Sequence, residues 1–317
     1  MNLRNFALSI FAIGIMFFTA CTEGKKNKDV SNNINEVKAE TVTATKYGLN
    51  PEWGIAELVG IKDGKLVCKT ENGEIFYYTL NTTDFGKAES FGVKGNAGNE
   101  WVMPHLLLSD EKGKCYVIDN GTRKITILEN YKITSQKDSP MKGLVNNEKM
   151  YKNFLCYEDM SPDKITLRIK DFNTNADCDS VVFEDPTHQG IAGDDDFAYD
   201  ARDGKLVLAK LNKDCIQVYG ISDEGKLEAL CNINGKTIKD THYFTSVAIG
   251  DGKIYTLSQR HRKSSEGSAY IEVYDFDGKA TKNINLGFKA SQMVYNAADN
   301  SLILLESKGE SLQVVKL

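Results

Sequence analysis

The chain has four histidines, His105, His188, His242 and His261, and no two of them stand at the short spacing that sets two ligands on one face of an element. The other groups able to do chemistry come in two runs. Asp194-Asp195-Asp196 offers hard oxygens of the kind calcium takes, or simply a solvated loop end. Arg260-His261-Arg262-Lys263 suits an anionic partner, or forms the solvated tip of a hairpin. No G-x-S-x-G elbow, H-E-x-x-H pair or phosphate-cradling loop occurs. The residues therefore suggest no catalytic centre, and calcium is the one cofactor their chemistry leaves open.

The amino-terminal residues carry an address. Arg4 is the only charge among the first twenty, and Phe6 to Phe18 is an uncharged apolar run. Thirteen helical residues reach about 20 Å, short of a bilayer core of roughly 30 Å, so the run reads as a signal peptide rather than a membrane span. Thr19-Ala20-Cys21 follows it and resembles the lipobox of bacterial lipoproteins, whose cysteine is acylated and becomes the new amino terminus. That resemblance implies lipidation at Cys21 and anchoring at a membrane through two or three acyl chains. Residues 21–46 are polar and read as a tether; residues 47–317 form the body.

Without its leader the chain has 38 basic and 44 acidic residues, a net charge of −6. A mildly acidic body lacks the basic face that nucleic acid requires, so no nucleic-acid partner is expected. Six cysteines remain after Cys21 and permit fifteen pairings. Cys68, Cys115 and Cys156, however, lie in apolar runs such as Leu66-Val67-Cys68, where a thiol packs as a small hydrophobe. Free, buried thiols are the expectation.

What must position these groups is a repeat of about 48 residues: strand, tight turn, strand. Its turns are Asp63-Gly64-Lys65, Lys112-Gly113-Lys114, Asp203-Gly204-Lys205, Asp251-Gly252-Lys253 and Asp299-Asn300-Ser301, each followed by a short apolar run. Six such units of three or four strands predict an all-β, six-bladed β-propeller of four-stranded antiparallel blades. The third unit is the least regular, with strands expected around 151–157, 165–172 and 180–183. The last unit ends on its third strand at Leu317. The alternating segment from Glu36 to Tyr47 is expected to supply the missing edge by pairing with the strand that holds Val314 and Val315.

Gly95-Asn96-Ala97-Gly98-Asn99-Glu100-Trp101, followed by Pro104 and a hairpin ending in Asp119, resembles the G-x-G-P-x-E-F element of the TolB-like and NHL-like propeller lipoproteins of Bacteroidetes. Gly98, Glu100 and Trp101 match its glycine, glutamate and aromatic; they read as an inter-blade latch. Within that group, Glu23 followed by Lys25 and Lys26 differs from the acidic run linked to surface export, which implies an outer-membrane position facing the periplasm, with the cell surface as the alternative.

In an up-and-down blade the uniform D-G-K turns share one face, and the longer, varied loops share the other. Binding residues belong on varied loops carried by a rigid scaffold. The candidates there are Trp53, Arg123, His188, His242, Tyr243, Arg260, His261 and Arg262, with Asp194, Asp195 and Asp196 as possible metal ligands. The expected role is a non-catalytic module that binds an envelope protein or a small molecule through this face. The alternative is a calcium-dependent hydrolase or lactonase working in the central channel.

Overall fold

The computed structural model describes residues 28–71, 73–141, 145–161, 164–184, 197–262 and 267–317. The leader, Cys21, His188, Asp194, Asp195, Asp196 and Lys263 lie outside them. The described residues form six sheets, and the chain moves from centre to rim within each. Blade 1 takes Ile55–Lys62, Lys65–Thr70, Ile75–Asn81 and Ala88–Lys94, with Glu100–Trp101 added in parallel. Blade 2 takes Pro104–Leu108, Lys114–Asp119, Lys124–Glu129 and Lys132–Asp138. Blade 3 takes Asn146–Tyr151, Phe154–Ser161, Lys164–Asp171 and Asp177–Glu184. Blade 4 takes Phe197–Arg202, Lys205–Lys210, Cys215–Ile221 and Leu227–Asn234. Blade 5 takes Thr241–Gly250, Lys253–Arg262, Tyr270–Asp275 and Ala280–Asn285. Blade 6 takes Ala290–Asn296, Ser301–Glu306 and Ser311–Lys316.

The first strands of successive blades touch one another around the whole ring, so this is a closed six-bladed propeller. The second strands each carry an apolar run because neighbouring blades cover both of their faces there: Leu66, Val67 and Cys68 are fully buried. Outer strands such as Lys132–Asp138 are mostly exposed and correspondingly polar. The D-G-K turns are tight because Asp63 and Gly64, Asp203 and Gly204, and Asp251 and Gly252 all adopt positive φ, the two-residue geometry that matches strand twist.

All six body cysteines are free, with Cys68, Cys115, Cys156 and Cys231 buried. Burial pushes the Cys156 thiol up to about 12 and that of Cys115 up to about 11.

Two expectations change. Blade 3 begins at Asn146–Tyr151, a polar strand missed in the sequence, and the strand expected around 151–157 is its second strand, Phe154–Ser161, entered through a turn at Lys152, whose φ is 52°. The amino-terminal residues are also no free tether from residue 28 onward. Lys28–Ser31 pairs in parallel with the rim strand of blade 4, and Ala39–Thr41 does the same on blade 5. Thr45–Gly48 then pairs antiparallel with Ser311–Lys316, placing Thr45 opposite Val314, and completes blade 6. Ring closure thus falls to the last residues of the expected segment, while the residues before them, from Lys28 on, form a strap across two further rims. Ile34 anchors the strap, fully buried between blades 4 and 5 with Val30 and Val37 packed beside it.

Candidate functional site

The inner strands leave a central channel that widens into two cavities. One, of about 520 Å³, opens toward the long-loop face; the other, of about 560 Å³, toward the D-G-K turns. Both are polar: Lys62, Asp110, Asp200, Arg202 and Asp251 line the second, and Glu148 and Lys149 reach both, while the first is where strand bulges bring side chains from separate blades together. Glu57, His105, Glu148 and Gln292 line it from blades 1, 2, 3 and 6, with Lys69 and Lys149 beside them.

A local device aims these groups. The innermost strand pairs of blades 1, 3, 5 and 6 each shift register near the long-loop end, at Ile55/Glu57, Asn146/Lys149, His242/Phe244 and Ala290/Gln292. A bulge turns a side chain out of the regular alternation. At blade 3, Asn147 and Glu148 stand opposite a single residue, and Asn147 takes a φ of 45°, so Glu148 is directed into the channel.

Glu148 Oε2 lies 2.8 Å from His105 Nδ1, and both side chains are largely buried. Nδ1 therefore carries hydrogen toward the carboxylate, leaving Nε2 as an acceptor in the neutral ring and a donor in the cation. Glu57 and Lys69, cross-strand partners, are 3.8 Å apart and half-exposed. Gln292 Oε1 accepts from the Leu58 amide at 2.6 Å, tying blade 6 to blade 1 across the channel wall. Burial, then the charges of Glu148 and Glu57, push the Tyr77 phenol well above its ordinary value; its hydroxyl donates to Pro104 O at 3.0 Å. The cavity is thus a polar, mixed-charge space with one histidine–carboxylate pair. Among the described residues, no group of three or more His, Cys, Asp or Glu side chains is assembled to hold a metal ion.

The residues expected to bind are scattered by comparison. Trp53 ends a short 3₁₀ turn and packs at 6.0 Å from Tyr78. Arg123 is exposed in a turn of blade 2 with a φ of 58°. His242 is half-buried in the first strand of blade 5, its backbone opposite that of His261, and Thr241 is opposite Arg262.

Tyr243 and Arg260 require correction. The basic run does not begin in a loop, because the hairpin of blade 5 extends through Arg262. Tyr243 is buried, and its hydroxyl accepts from the Ile238 amide at 2.7 Å. Arg260 points inward, with Nη1 and Nη2 donating to Asp214 at 2.8 and 3.0 Å. Its Nε donates to Glu272 Oε1, and its guanidinium lies 5.5 and 5.6 Å from the Tyr243 and Phe244 rings. Asn32 of the strap joins this network, donating to Asp214 Oδ1 at 2.9 Å, and Tyr274 donates to Glu272 Oε2 at 2.6 Å. Two buried carboxylates consume the charge that an external anion would need.

The latch residues occupy the junction of blades 1 and 2. Trp101 is buried among Val67, Tyr77, Leu106 and Val117. Glu100 Oε2 accepts from the Ala97 amide at 2.9 Å, while Gly98 is exposed. A side chain at Gly92 would meet Trp101 at 2.2 Å, and one at Gly95 would meet Glu100 at 2.0 Å. Asp119 closes the element by accepting from the Val102 and Met103 amides at 3.0 and 2.8 Å.

No protein-family model matches the chain, and no curated protein matches it by sequence. Solved structures do resemble it in fold. A Bacteroides fragilis protein described as exported superposes with a TM-score of 0.60 at 9% identity, covering 91% of this chain and 98% of that one. A member of the DUF4221 family from Bacteroides vulgatus gives 0.59 at 12% identity, covering 89% and 98%. The WD40 repeats of RRP9 give 0.53 at 10% identity, covering 89% and 99%. At such identities the likeness is one of fold.

Proposed function

We propose that this chain is an exported, lipid-anchored binding protein of the cell envelope that captures a small polar molecule in the long-loop mouth of its channel. The observation that carries the reading is the set of bulges that direct side chains from separate blades, Glu148 among them, into one cavity of ligand size. The lipobox-like Thr19-Ala20-Cys21 supports the anchor, and the fold shared with a protein described as exported agrees with it. Through the resemblance to that lipoprotein group, Glu23, Lys25 and Lys26 after Cys21 support an outer-membrane position facing the periplasm. A protein partner on the loop face has weaker support, because Arg260 and Tyr243 are used internally. Calcium-dependent hydrolysis has weaker support, because no three His, Cys, Asp or Glu side chains gather among the described residues.

The test is thermal stabilisation of the mature chain by the low-molecular-weight fraction and by the protein fraction of an envelope extract. A ligand at a hundred times its Kd adds about 2.7 kcal/mol, a shift of about 4 to 5 °C in a domain of this size. The small-molecule fraction should produce it in the wild type and lose it with Glu148→Gln or His105→Ala. Stabilisation by the protein fraction alone, unaffected by either substitution, would overturn the reading.

A further inference from the structure

The strap fixes which part of the disc an anchored Cys21 can hold near a membrane. Lys28 pairs with Cys231 on the outermost strand of blade 4, and Asn32 ties the same stretch to the buried Asp214. Ile34 and the pairing of Thr45–Gly48 then lock the chain onto the neighbouring rims. Only six residues separate Cys21 from Lys28. A fully extended chain covers at most about 3.3 to 3.6 Å per residue, so Lys28 stands within about 25 Å of the acylated cysteine.

We propose that the rim of blade 4 is the membrane-proximal edge of the protein, so that the disc stands edge-on with blade 1 farthest from the bilayer. This rests on the lipid anchor of the preceding section. Had residues 21–46 been a loose tether, the body could tumble and present any side. Bonded to three blades from Lys28 onward, the chain leaves only the six residues after Cys21 as span between anchor and body. In the edge-on arrangement the lipid surface covers neither channel mouth, and the cavity lined by His105 and Glu148 stays open to solutes in the aqueous phase.

The test uses the full lipidated protein in phosphatidylcholine vesicles containing a lipid with a headgroup-linked quencher. A fluorophore is coupled to a non-natural residue at Glu224, exposed at the outer turn of blade 4, or at Ser90, exposed on the rim strand of blade 1. Mass spectrometry of Cys21 accompanies the measurement. The expected result is acylated Cys21, loss of fluorescence at Glu224 and its retention at Ser90. Equal quenching at both positions with Cys21 acylated would overturn the edge-on arrangement and leave the anchor standing. An unmodified Cys21 would refute the anchor and the orientation with it.

Discussion

At the scale of the residue, Arg260 and Asp119 show how buried charge is used here for cohesion. Arg260 bridges Asp214 of blade 4 and Glu272 of blade 5, both almost fully buried. Removing one partner of such a set strands the others in a low-dielectric interior. Arg260→Ala should therefore cost about 3 to 5 kcal/mol in denaturant unfolding, with Arg260→Lys recovering only part, since an ammonium cannot make the forked contacts. A loss below about 0.5 kcal/mol, as for a surface arginine, would contradict this placement. For Asp119, burial works to raise its pKa, but bonds from the Val102, Met103 and Gly121 amides and the Thr122 hydroxyl outweigh it and hold the carboxyl below its ordinary value. A lowered carboxylate adds stability above its unfolded pKa of about 3.9 and loses it as pH falls through the folded value. Asp119→Asn should thus be less stable than wild type at neutral pH, and the gap should close below about pH 4. A gap that persists in acid would assign the loss to shape instead of charge.

At the scale of the element, the strap and the bulges mark where sequence reading succeeded and where it stopped. Turns such as Asp63-Gly64 were legible because only small or Asx residues adopt positive φ cheaply, and the apolar second strands because burial on both faces leaves no alternation to read. Asn146–Tyr151 was not, since a channel-lining strand rich in Asn, Glu and Lys looks like a loop; Glu148 went unnoticed with it. Bulges depend on pairing across strands and leave no local trace, so Glu57 and Gln292 carried no signal either. Arg260 misled because its partners Asp214 and Glu272 are distant in sequence. The strap makes its own prediction. Removing residues 28–44 uncovers the Ile34 site and takes Asn32 from Asp214, a loss of about 3 to 5 kcal/mol. Adding the 28–44 peptide in trans should restore part of it. Unchanged stability on truncation would mean that the strap contributes no cohesion.

At the scale of the whole molecule, six blades enclose a channel whose two ends differ. Uniform turns rim one, while the other gathers His105, Glu148, Glu57 and Gln292 around a cavity of about 520 Å³. The strap runs around the rim and leaves both mouths clear. The central claim is that the long-loop mouth is where a ligand sits. Amide hydrogen exchange of the mature chain, with and without the small-molecule fraction of the envelope, tests it most directly. Added protection should fall on segments around Glu57, His105, Glu148 and Gln292, four places far apart in sequence and adjacent only in the channel. Protection confined to the outer loops or the rim, with those four segments unchanged, would contradict it.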